Sequence, residues 1–221
     1  MLSEVGIRGL EALVSLALPP VCILCERECD EGHDLCPGCD LRAIATTPVM
    51  ESGVRGVGPV LAGGAYSGIA GDLVRALKFS RRIRAAGEAA GLIERAIARL
   101  HPTLLEERPM VVPVPPSPVR WLVRGFDSAE ETALELSRRL DLPFGLALVR
   151  THGPRQTGRG RFQRLAEPPL VSLSGSAEPL PGGVLLIDDV FTTGSTLAAC
   201  AEPLLSAGAS TVSAACIARA G

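Results

Sequence analysis

Val184-Leu185-Leu186-Ile187-Asp188-Asp189-Val190-Phe191-Thr192-Thr193-Gly194-Ser195-Thr196 reads as a strand, a tight turn and the first residues of a helix. Four successive apolar residues, Val184 to Ile187, are what a parallel strand needs when helices cover both faces of its sheet. Asp188 and Asp189 follow at the carboxyl end of that strand, where open α/β sheets bind their ligands. Thr192, Thr193, Gly194, Ser195 and Thr196 then supply a glycine, four hydroxyls and the amides of a turn that opens a helix. Unpaired amides at a helix N-terminus, aligned with the helix dipole, attract a phosphate. Two carboxylates beside such a nest suit a sugar phosphate: the acids accept from sugar hydroxyls while the nest holds the phosphate. The plainer alternative is a strand end whose acids are solvated and whose Thr193 or Ser195 caps the helix.

Away from this stretch, short apolar runs alternate with helical patterns. Pro59 to Tyr66, Pro109 to Val114, Pro143 to Val149, Gly183 to Ile187 and Thr211 to Ile217 read as strands. Ile69 to Phe79, Ala85 to Leu100, Asp127 to Leu140 and Thr196 to Ala207 read as helices. This alternation implies parallel βαβ units and a doubly wound α/β domain of about five strands. Thr46 to Gly58, with Pro48 and scattered glycines, reads as a linker, and a domain boundary is placed near residue 48. That gives an N-terminal region over 1–48 and an α/β domain over 49–221. Thr151 to Pro181 is the least regular segment, and a stretch of that length is a functional loop or a disordered one.

The chain has 221 residues, about one and a half domains of typical size. With 47% hydrophobic and 21% charged residues it can bury a sizeable core, which excludes a disordered or fibrous protein. Aromatics are only 3%, so that core must be aliphatic. Lys and Arg total 22 against 24 Asp and Glu, and a net charge of -2 argues against a uniformly basic surface that holds nucleic acid nonspecifically. Between Met1 and Pro20 the apolar run Ala12 to Leu18 has the length of a signal-peptide core. Glu4 and Glu11 stand there against a single Arg8, so a short amphipathic helix is expected instead. No run approaches the roughly 20 apolar residues of a membrane span, and the expected location is the cytoplasm.

Five of the seven cysteines lie between Cys22 and Cys39, while Cys200 and Cys216 sit in apolar surroundings, a distribution unlike a secreted disulfide framework. Cys22-Ile23-Leu24-Cys25 is followed after ten residues by Cys36-Pro37-Gly38-Cys39. A two-residue gap lets both thiolates of a knuckle reach one ion, and two knuckles complete a tetrahedral four-cysteine zinc site. With every position filled by protein, the Zn2+ would be structural. The alternatives are a redox Cys-x-x-Cys pair, or substitution of Cys29 or His33 as a ligand. So short a region can hardly fold without a staple, which makes metal binding a source of folding free energy.

Lys78 is the only lysine, with Arg81, Arg82 and Arg84 close behind. It reads either as a cation for pyrophosphate or as a solvated residue near a helix end, favoured by the dipole. Arg150, Arg155, Arg159, Arg161 and Arg164 lie in one loop with no acid between them. That loop could close over a ligand as a lid, track phosphates of single-stranded DNA, or be a soluble disordered segment. Phe162 and Trp121 are the few aromatics available to stack bases. His101 and His152 have no partner at motif spacing and belong to no triad.

The string 184–196 resembles the phosphoribosyl pyrophosphate (PRPP) signature of type I phosphoribosyltransferases, with Phe191 in place of the usual aliphatic residue. The double knuckle, Ala76-Leu77-Lys78-Phe79, Val112-Pro113-Val114-Pro115, Arg124-Gly125-Phe126-Asp127, Arg155-Gln156-Thr157-Gly158 and the acid string occur in the order expected of the ComF family. The resemblance covers nearly the full chain. It implies a type I phosphoribosyltransferase-like fold with a small N-terminal four-cysteine zinc-binding region. It also implies that Asp188 and Asp189 contact the ribose 2′ and 3′ hydroxyls, and that Thr192, Thr193, Gly194, Ser195 and Thr196 hold the 5-phosphate. By position, the loop from Val114 through Pro115 and Pro116 to Val119 would wrap the pyrophosphate, with Arg124, Lys78 and Arg155 assisting.

If the chain is an enzyme, the family's chemistry is Mg2+ bound to pyrophosphate, loss of that group through an oxocarbenium-like state, and inversion at C1 by an acceptor that the sequence does not name. Family members are associated with natural transformation, the import of single-stranded DNA, and a helicase partner. Two positions depart from the pattern: Arg-Gly-Phe-Asn reads Arg-Gly-Phe-Asp, and the later Arg-x-x-Asn reads Arg164-Leu165-Ala166-Glu167. Both bear on closure over a substrate. The rival expectation is a noncatalytic DNA-uptake module whose nest senses PRPP or holds a DNA phosphate. A nucleotide-responsive regulator that binds duplex DNA is a third, opposed by the net charge of -2.

Overall fold

A computed structural model describes residues 20–80, 83–116, 126–151, 170–175, 180 and 182–221. The chain divides into two compact units after Ala45. The amphipathic helix expected before Pro20 lies outside the described residues, as do Arg124, Arg155 and most of the arginine-rich loop.

In the first unit the backbone doubles back through an isolated antiparallel bridge between Val21 and Glu28. The Cys22 amide donates to the Arg27 carbonyl at 2.8 Å and the Glu26 amide to the Cys22 carbonyl at 3.0 Å. Glu26 closes this turn at φ +63, a left-handed conformation that non-glycine residues seldom adopt. Helix α1, Pro37–Ile44, begins straight after Cys36, with Pro37 in the first turn, where the missing N–H costs nothing.

The second unit is a mixed α/β fold on a five-stranded sheet of order β1-β2-β7-β6-β3. Its strands are β1 (Val49–Glu51), β2 (Val60–Ala62), β3 (Met110–Pro113), β6 (Val184–Phe191) and β7 (Val212–Arg219). β2, β7, β6 and β3 are parallel, and β1 joins β2 antiparallel. Its helices are α2 (Ile69–Ser80), α3 (Ala85–Leu100), α4 (Ser128–Leu140) and α5 (Ser195–Ser206). In α2 the residues Ile69, Ala70, Leu73, Val74 and Leu77 are buried, the i, i+3, i+4, i+7 stripe of a helix laid on a core.

Strand alternation sorts the core. Val184 and Leu186 of β6 pack with Val212, Ala214 and Cys216 of β7 against Leu197, Cys200 and Leu204 of α5. The intervening residues Leu185, Ile187, Ala215 and Ile217 are equally buried. They face the other way, because successive side chains of a strand point to opposite faces. Each fully buried leucine or isoleucine contributes about 1.5–3 kcal/mol, so Leu185, Leu186 and Ile187 anchor β6 from both faces of the sheet.

Three expectations are corrected. Pro143 to Val149 is not a strand of the main sheet: Phe144 makes only an isolated parallel bridge to Val111. The strand proper, β4 (Leu148–Thr151), pairs antiparallel with β5 (Leu170–Leu173) in a separate ribbon. β5 lies inside the segment expected to be irregular, and its burial shows no fully buried position that would have marked it. The expected linker 46–58 holds β1, whose three residues Val-Met-Glu are too few to show a period and leave Met50 exposed.

Among the described residues no helix is long and apolar enough to cross a membrane.

Candidate ligand site and cysteine cluster

β6 runs through the two acids and ends at Phe191, so Asp188 and Asp189 are strand residues and not the start of a loop. Their side chains therefore point to opposite faces, and their surroundings differ accordingly. Asp188 is on the α5 face, level with Cys216 in the β7 register. Its Oδ1 accepts from the Asp189 amide at 2.8 Å. Burial first, then the neighbouring Asp189 charge, pushes its carboxyl up to about 7. The Cys200 thiol is pushed up to about 12 by burial and by Asp188.

Asp189 is on the other face, where α2 and α4 converge. Lys78 Nζ of α2 lies 2.8 Å from its Oδ2, and Ser128 Oγ of α4 donates to the same oxygen at 2.8 Å. Asp189 Oδ1 is buried and has no hydrogen-bond partner among the described residues. Lys78 is thus neither solvated nor free: its side chain is 17% exposed and tied to an acid. Asp127 caps α4 by accepting from the Glu130 amide at 2.9 Å. Burial and the nearby Asp189 charge raise its carboxyl to about 6.

Beyond Phe191 the chain turns at Thr192–Gly194 into α5. Gly194 is the N-cap, at φ +77, and brings no side-chain cap. A Cβ there would lie 2.6 Å from Val54 Cγ2 and 3.1 Å from Phe191 Cε2, so both conformation and space demand glycine. Thr192, Thr193 and Ser195 are exposed and Thr196 half-buried. Thr193 Oγ1 donates to Ser195 Oγ at 3.2 Å, which draws two of the hydroxyls together over the helix start. On the other side of β6, the Val114 amide donates to the Ile187 carbonyl at 2.8 Å. Pro115, buried, and Pro116, half-buried, therefore leave β3 level with the acids. The strand-turn-helix geometry thus brings Asp188, Asp189, Lys78, Pro115, Pro116 and residues 192–196 to one end of the sheet.

Sequence reasoning missed Ser128, because a lone serine after Asp127 carries no motif and its partner is 61 residues away. A groove of about 740 Å³ opens between β5 and the outer side of α5, with Ser195 among its lining residues. It is walled mainly by apolar residues and includes neither Asp188 nor Asp189.

In the first unit, Cys22, Cys25, Cys36 and Cys39 place their sulfurs within 4.8 Å of one another, Cys25 and Cys36 at 3.5 Å. Four thiolates around one ion at the Zn–S length would stand about 3.8 Å apart, so the cluster fits a tetrahedral metal. Its titration points the same way. Burial resists ionisation of Cys22, but the backbone N–H groups of Cys36, Cys25 and Leu24 outweigh it and lower the thiol to about 6. The Cys39 amide and Cys25 lower Cys36 as well. Cys39 is instead pushed up to about 12, by burial and by the other three cysteines. Four anions cannot accumulate here without a cation to share. Cys29 is not among the four, and its thiol donates to the His33 carbonyl at 3.3 Å.

A family profile described as phosphoribosyl transferase domain matches residues 81–221. The chain is 30% identical over 207 residues to the DNA utilization protein YhgH of Escherichia coli O157:H7, covering 90% of each. It is 28% identical over 204 residues to the protein of that name from E. coli K12, again over 90% of each. The competence protein ComFC of Bacillus subtilis is 35% identical over 100 residues, which cover 45% of this chain and 39% of that protein.

Proposed function

The chain belongs to the ComF family, built on a phosphoribosyl transferase domain, and on that premise we propose that it binds PRPP at the junction of β6 and α5. The observation that carries this reading is the junction itself: two carboxylates on a central strand, one with a buried oxygen lacking a partner among the described residues, followed by a glycine-capped helix start. A ribose hydroxyl matches the Asp189 carboxylate, and a phosphate matches the amides and hydroxyls of Thr192, Thr193, Gly194, Ser195 and Thr196. Unpartnered buried acceptors are costly, so a ligand hydroxyl donating to Asp189 gains more than the same bond would in water.

Pro115 and Pro116 begin the loop assigned to the pyrophosphate, with Arg124 and Arg155 as its further cations and Lys78 as the positive charge nearest the acids. Charge gathered on a departing pyrophosphate would be offset by Mg2+ when bound. Transfer of the phosphoribosyl group to an acceptor is chemistry this arrangement permits. Cys22, Cys25, Cys36 and Cys39 are assigned one structural Zn2+. The names of the relatives, DNA utilization and competence, support a role in handling imported DNA, with single-stranded DNA and a helicase as the proposed macromolecular partners.

Calorimetric titration of PRPP with Mg2+ into the wild type and into Asp188→Ala/Asp189→Ala tests the site. Saturable binding that the double variant loses is expected. A wild type that ignores PRPP sinks the reading and leaves a noncatalytic DNA-handling module as the account. Single-strand DNA affinity should fall steeply with added salt, because phosphate contacts release counterions.

A further inference from the structure

Asp189 Oδ2 takes two donors at once, Ser128 Oγ and Lys78 Nζ, each at 2.8 Å. The two come from different helices and differ in kind. Lys78 is a charge on a flexible stem, whereas Ser128 is 3% exposed and sits in the first turn of α4. That turn is itself fixed: Asp127 caps it, and Thr132 Oγ1 donates to the Ser128 carbonyl at 2.7 Å from one turn further on. A short buried side chain with one rotatable hydroxyl loses little entropy when it holds a carboxylate, while a lysine loses much. The direction of the Asp189 carboxylate is therefore set by the serine more than by the lysine.

We propose that Ser128 is a positioning residue that locks Asp189 Oδ2 and so turns Oδ1, the buried oxygen without a partner among the described residues, toward a hydroxyl of the bound ligand. This rests on the reading of Asp189 as a PRPP ribose contact. Ser128 touches no ligand in it; it acts through Asp189, and Lys78 supplies the compensating charge.

The test compares Ser128→Ala with Ser137→Ala. The second variant removes a buried hydrogen bond of the same helix, Ser137 Oγ to the Leu142 carbonyl at 2.7 Å, without touching Asp189 or the turn that holds Ser128. In the protein without ligand, at fixed pH, the side-chain carboxyl resonance of Asp189 in carbon-13 NMR should move in Ser128→Ala and stay in place in Ser137→Ala, although both lower the melting temperature. Mg-PRPP affinity should fall about tenfold in Ser128→Ala, the value of one hydrogen bond to a charged group, and hold at the wild-type level in Ser137→Ala. An unmoved Asp189 resonance in folded Ser128→Ala overturns the assignment, as does an equal movement in Ser137→Ala. If the wild type takes no PRPP, the ligand reading fails by that result, and the resonance alone decides whether Ser128 holds the carboxylate.

Discussion

Among the described residues of the first unit, the buried hydrophobic positions are Cys22, Ile23, Leu35, Cys36, Cys39 and Ala43, three of them thiols. Every one of the largest fully buried side chains, from Leu61 to Leu204, belongs to the second unit. Residues 20–45 of the first bury little apolar area and converge their sulfurs instead; the second has aliphatic layers on both sides of a sheet. The difference teaches that the two regions should answer to different perturbations, each blind to what disables the other.

The widest separation should come from metal removal. Structural zinc binding in small finger peptides is worth about 10–16 kcal/mol near neutral pH, more than such a unit can replace. Purified protein should carry about one Zn per chain. Chelation or Cys36→Ser should collapse the amide resonances of 20–45 while those of the sheet persist. Metal-free protein with a folded knuckle would break the comparison at its strongest point.

Leu186→Ala is the converse experiment. Leu186 is wholly buried in β6, and truncation there should cost about 2–5 kcal/mol, read as a lower urea midpoint for the sheet with metal retention unchanged. Loss of zinc in that variant would mean that the two units fold as one.

Next in size is a pH effect on the second unit. Asp188 titrates at about 7 when folded, against roughly 3.9 in an unfolded chain. Between those values the folded state holds more protons, so stability falls as pH rises through that window. Asp127, raised to about 6, adds in the same direction. The urea midpoint of the sheet should drop between about pH 4 and about pH 7, and Asp188→Asn should remove much of the drop. A midpoint that climbs over this range contradicts the buried-acid account. The smallest effect is expected at the Arg55–Glu202 pair, 3.7 Å apart with side chains 88% and 71% exposed. Arg55→Ala should change the unfolding free energy by no more than about 0.5 kcal/mol.

What was legible in the sequence follows the range of the forces involved. Val184 to Ile187 announced itself because four apolar residues, two acids and a glycine turn are local, and the knuckles because metal geometry dictates spacing. β1 and β5 were illegible: Val49–Glu51 is three residues long, and Leu170–Leu173 keeps Leu170 exposed and buries none fully. The tie of Lys78 to Asp189 joins residues on α2 and β6 that only the completed sheet brings together. The opposed faces of Asp188 and Asp189 follow from strand alternation once β6 is seen to continue to Phe191, a boundary that the apolar run alone set four residues short.

The stretch Pro143 to Gly145 after α4, which bonds to both backbone groups of Val111, has a consequence for the molecule in a crowd. The Val111 amide donates to the Pro143 carbonyl at 2.7 Å, and the Gly145 amide to the Val111 carbonyl at 3.1 Å. These bonds occupy the outward groups of β3 that would otherwise template pairing with another chain. At the opposite margin β1 is only three residues long and ends in Glu51, whose carboxylate takes Arg219 Nε at 2.7 Å. One margin of a sheet built from Val, Leu and Ile is thereby covered and the other kept to three residues, two of the ways in which sheets limit edge-to-edge pairing.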